Sequence, residues 1–117
     1  MRIYLTKQDA IYGLHKNGYI HDFEIAGNDL LLIQEKIFVR AWEFVINECH
    51  QFTNRLQKGN GIFVFGISAP YHNMKGILLR HYTANGIKLP PVLLKKLNDM
   101  MASSATKRFE KIIQPIK

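Results

Sequence analysis

The chain has 117 residues, of which 47% are hydrophobic and 21% charged. That composition excludes a disordered chain and leaves room for one hydrophobic core, not two. A single cysteine, Cys49, excludes an internal disulfide and fits a reducing compartment. No apolar run exceeds four residues, far below the ~20 a membrane-spanning helix needs. Met1 to Leu14 carries charges and no apolar signal-peptide core, so a cytoplasmic location is expected.

The net charge of +7 is unevenly placed. Residues 1–53 hold five Lys/Arg against seven Asp/Glu, a net of −2, whereas residues 54–117 hold eleven against two, a net of +9. Such polarity suits an acidic partner, nucleic acid included, and equally suits solubility.

Thr6-Lys7-Gln8-Asp9 predicts a helix start, with Thr6 as cap and Leu5 and Ala10 placed as a weak hydrophobic staple. Asn17-Gly18 predicts its end. His21 to Ile25 alternates, Gly27-Asn28-Asp29 is turn chemistry, and Leu30 to Gln34 reads as a returning strand, so a hairpin is expected. Lys36 to Trp42 has helical spacing at Ile37, Phe38, Ala41 and Trp42 and is ambiguous.

Glu43 to Thr53 predicts a long strand. Simple alternation puts Phe44, Ile46 and Phe52 on one face and Val45, Asn47, Cys49 and Gln51 on the other. After a polar loop at 54–61, Ile62 to Ile67 is the clearest strand, and Gly76 to Thr83 the next. Pro90-Pro91 opens a helix whose stripe is Leu93, Leu94, Leu97, Met100 and Met101, with Lys95, Lys96 and Asp99 facing away and Ser103-Ser104 interrupting it. Phe109, Ile112, Ile113 and Ile116 make a second amphipathic stripe. The expectation is an α+β, two-layer domain over residues 1–102: an antiparallel meander of about five strands, flanked by an N-terminal helix and C-terminal helices on one face. Residues 103–117 are expected to form a helical tail, packing on that domain or on a partner.

Few constellations carry chemistry. Lys58 to Phe65 partly matches the RNA-recognition octamer, but Asn60 and Ile62 stand where stacking aromatics are required. The Lys58-Gly59-Asn60-Gly61 loop precedes a strand, so no helix dipole assists phosphate binding there. Glu48 and His50 share a strand face, and His81 lies within reach on a neighbouring strand. They are the weak metal candidates, among histidines that also include His21 and His72, and none has zinc-site spacing. Cys49 and His50 point to opposite faces, which argues against a thiolate–imidazolium pair. Asp22 and Glu24 share a solvent face. No cofactor is expected, and no catalytic residue. The cationic set Lys95, Lys96, Lys107, Arg108 and Lys111 is the candidate for binding an anion or nucleic acid.

Gly18-Tyr19-x-His21-Asp22-Phe23, Glu43-Phe44-x-Ile46-x-Glu48 with Phe52 beyond, and Lys75-Gly76-Ile77-Leu78 with Tyr82 and Gly86 downstream carry a resemblance over roughly residues 10–100. The chain resembles a group of small bacterial proteins labelled phosphoribosylpyrophosphate synthetase. A synthetase of that name must hold Mg-ATP and a ribose phosphate between two α/β domains. This chain is too short for such a pair and has no recognisable glycine-rich phosphate loop or acidic metal cluster. The resemblance implies a small domain of the same kind and supplies no catalytic residue. The function expected first is a non-enzymatic interaction module, a homodimer using an exposed sheet edge or the tail. A nucleic-acid binder using the basic half and a protein acting on a phosphorylated metabolite are the alternatives.

Overall fold

Helix α1 spans Lys7–Lys16, and it starts as the sequence predicts: Thr6 is extended and its Oγ1 accepts the Asp9 amide at 3.1 Å. The computed structural model describes residues 3–104. The end of α1 also falls as expected, with Asn17 donating back to the Gly13 and Leu14 carbonyls. The staple does not form, because Leu5 is 88% exposed.

Seven strands follow: β1 His21–Ala26, β2 Asp29–Leu32, β3 Ile37–Val39, β4 Val45–Thr53, β5 Gly61–Ala69, β6 Met74–Thr83 and the short β7 Gly86–Ile87. Helix α2, Pro91–Ser104, comes last. The predicted hairpin is present, with Ala26 opposite Asp29 across the two-residue turn Gly27-Asn28. Gly27 takes φ +64°, a conformation that glycine adopts without a Cβ penalty. The ambiguous stretch resolves into β3 and a 3-10 turn at Ala41–Glu43, so helical spacing holds only for its second part.

The sheet order is β3-β2-β1-β6-β5-β4, with β7 also on β6. The protein is therefore a small α+β domain with one mostly antiparallel sheet and two helices. A single meander of about five strands is corrected: a three-stranded antiparallel meander, β1 to β3, and a four-stranded one, β4 to β7, are joined by a parallel pairing of β1 with β6, His21 opposite Gly76 and Asp22 opposite Ile77. Short loops do dictate antiparallel neighbours within each meander, but they say nothing of how the two meanders meet.

Placement of both helices on one face is also corrected. On β5, Phe63, Phe65 and Ile67 pack with Leu93 and Leu97 of α2 and with Phe23, Leu30, Leu32 and Val39 of the first meander. The intervening Val64 packs with Ala10 and Leu14 of α1 and with Tyr19 and Ile77. The helices thus lie on opposite faces, and the sheet is the middle layer. The unbroken apolar run Ile62 to Phe65 is the sequence mark of a strand buried on both sides.

Strand β4 departs from simple alternation. Its register against β5 shifts between Ile46 and Glu48, a bulge at Asn47. Ile46 and Cys49 consequently face the same core, while Phe52 packs with the α1 cluster. The expected split of these residues between faces fails at that one inserted residue. Helix α2 runs through Ser103 and Ser104 without the expected break, two residues beyond the boundary placed at 102. The remainder of the expected tail lies outside the described residues. Among the described residues, no helix is long and apolar enough to cross a membrane.

Candidate functional site

The cationic candidates do not form a free patch on α2. Lys95 pairs with Asp99 one turn on, at 3.4 Å, both side chains being exposed. Lys96 does not face away as expected. Its ammonium donates to the Phe44 carbonyl at 2.8 Å and sits 4.8 Å from the centre of the Phe44 ring. Partial burial lowers its pKa from the ordinary lysine value, with Asp99 opposing the shift and Lys95 adding to it. Lys96 thus ties α2 to the chain entering β4. Lys107, Arg108 and Lys111 lie outside the described residues.

Glu48 and His50 meet, as period-2 spacing predicts, with Oε1 and Nε2 2.9 Å apart. The His50 ring is buried, with Tyr4 packed edge-on at 4.9 Å. His81 does not join them. Its neighbour on β5 is Ile62, whereas His50 faces Val64, so the two imidazoles are offset along the sheet with β5 between their strands. His72 bonds Glu43 at 3.2 Å and His21 begins β1. Among the described residues, no three metal-ligating side chains converge. Asp22 and Glu24 are exposed, as expected.

Cys49 and His50 point to opposite faces and both are buried. Burial without a cationic neighbour pushes the Cys49 thiol far above its ordinary pKa. The native chain should therefore react with a thiol-specific disulfide reagent more slowly by several orders of magnitude than the chain unfolded in guanidinium. Comparable rates in a stopped-flow absorbance assay would show that Cys49 is accessible.

A different surface stands out at the start of β4. The 3-10 turn Ala41–Glu43 is anchored by Glu43, whose carboxylate accepts from the Arg40 amide at 2.8 Å and bonds His72 at 3.2 Å. Both bonds favour the charged form and hold that carboxyl below its ordinary range, the Arg40 amide contributing most. The turn presents Trp42, 71% exposed, to Tyr71, 78% exposed, on the second 3-10 turn Pro70–His72. Their rings meet edge to face at 5.8 Å. Val45, also exposed, follows at the first position of β4.

Beside these rings runs a free sheet edge. Among the described residues, β4 pairs only with β5, so along its nine residues the outward N–H and C=O groups have no strand partner. The opposite edge, β3, is three residues long. In the sequence Trp42 was hidden in a helix-like spacing. Its signal was that the single Trp of the chain falls in a charged stretch between two strands.

The fold and these surfaces define a small α+β domain with an exposed aromatic pair beside an open strand edge. Compared with family models, with curated proteins and with solved structures, the chain matches none. Residue roles therefore rest on geometry alone.

Proposed function

We propose that the protein is a non-enzymatic interaction module that pairs with a second copy of itself along β4. The observation that carries this reading is the nine-residue free edge with Trp42, Tyr71 and Val45 exposed at one end. An antiparallel pairing of two β4 strands satisfies both rows of open backbone groups by two-fold symmetry. Each copy then brings its aromatic end against the far end of the other strand, and buried aromatics supply much of the energy at such interfaces. The bulge at Asn47 limits the edge to a pairing that accommodates it, which selects against indiscriminate strand addition.

Size-exclusion chromatography with light scattering on the full chain tests this. The wild type is expected at twice the 13.6 kDa chain mass, and Trp42→Ala/Val45→Lys at the monomer mass with an unchanged circular dichroism spectrum. A wild type that stays monomeric at every concentration up to its solubility limit would remove the reading.

A further inference from the structure

Four stretches distant in sequence meet where β4 ends and β5 begins, and they enclose an open cleft of about 860 Å³. It is lined by the approach to α1, the end of β4 and the loop after it, the start of β5 and the end of β6. The volume falls within the roughly 300–1,000 Å³ usual for small-molecule sites.

The lining has a one-sided charge. Lys7 comes from α1 and Arg55 from the loop, and no Asp or Glu contributes. Among the described residues, neither Lys7 nor Arg55 takes part in a salt bridge. Unpaired cations around a concave surface focus a positive potential on it, because field lines concentrate where low-dielectric walls surround solvent. The apolar part of the lining includes Phe52, Ile62 and the ring of Tyr82, whose hydroxyl accepts from Gln51 at 2.8 Å.

The wall carrying Arg55 is held in shape before any ligand arrives. The Asn54 amide donates to the Asn60 carbonyl at 2.8 Å, closing the loop, and the Leu56 amide donates to the Asn54 side chain at 2.9 Å. Asn60 Nδ2 donates to Gln57 Oε1 at 2.9 Å inside the same loop. Little backbone ordering remains to oppose binding.

We infer that this cleft is a site for a small phosphate monoester carrying a flat apolar body, with Lys7 and Arg55 on the phosphate and Phe52 and Ile62 beneath the body. Arginine offers the phosphate a two-pronged donor, lysine a point charge. The cleft shares Gln51, Phe52 and Thr53 with the far end of β4, the strand whose free edge carries the proposed pairing.

The test is a heteronuclear NMR titration of the isotope-labelled full chain with AMP, inorganic phosphate and adenosine. AMP is expected to shift the amides of Lys7, Asn54, Arg55 and Asn60 saturably, phosphate the same amides more weakly, and adenosine at least about tenfold more weakly than AMP. Lys7→Gln/Arg55→Gln should lower AMP affinity about tenfold or more while the amide pattern of β4 to β6 is retained. Should that pair not fold, Arg55→Gln alone is read against Arg55→Lys, the first losing affinity and the second keeping most of it. Absence of saturable shifts, equal binding of AMP and adenosine, or an unchanged affinity in the glutamine variants would overturn the inference.

Discussion

Replacing Gly76 with alanine is expected to destabilise the domain by about 3 kcal/mol or more, a large fraction of the ~5–15 kcal/mol typical of a whole domain. Gly76 faces His21 where β1 and β6 run parallel. A Cβ there would lie 2.6 Å from the His21 carbonyl oxygen and 2.6 Å from the Phe23 ring. Neither neighbour can yield easily. The carbonyl belongs to a strand at the junction, and Phe23 is 4% exposed in the main core. Relief requires moving β1 away from β6, which opens the joint between the two meanders. Urea unfolding followed by circular dichroism checks this, and a loss below about 1 kcal/mol would mean that the junction is looser than its geometry indicates.

Phe65→Ala is expected to cost about 3–5 kcal/mol, the range for removing a fully buried aromatic ring. Phe65 has no exposed surface and lies between Cys49 of β4 and Leu78 of β6. Its ring is nearly parallel to that of Phe63, with centres 5.9 Å apart and planes at 14°. Truncation leaves a cavity in the middle of a sheet bonded on both sides, where relaxation is hard. Phe65→Leu, which keeps most of the volume, should cost clearly less. Thermal unfolding of the two variants side by side gives the comparison, and equal melting temperatures would contradict close packing at this position.

Features set by neighbours in the chain were legible in the sequence. Thr6 caps because its own side chain reaches Asp9, and Gly27 turns because it lacks a Cβ. Glu48 meets His50 because they are two apart on a strand. What depended on distant partners was not legible. The shift at Asn47 needs the register of β5, and without it Cys49 falls on the wrong face. Lys96 seemed a solvent cation because nothing on α2 announces the Phe44 carbonyl. The β4 edge became a candidate only once the order of all seven strands was known. The same holds for the cleft, whose cations at 7 and 55 share no motif.

The junction of β1 with β6 also has a kinetic meaning. Each meander is continuous in the chain, so its hairpins close over short loops, at the small entropic cost such loops carry. Bringing His21 beside Gly76 closes the whole intervening chain before two paired positions and the packing of Phe23, Leu30, Leu32 and Val39 on β5 offset that cost. Folding by local assembly thus places this docking late, after β4 to β6 have gathered around Phe63 and Phe65. Strain at Gly76 would then hasten unfolding far more than it slows folding, and the domain's lifetime, more than its rate of formation, is set at that seam.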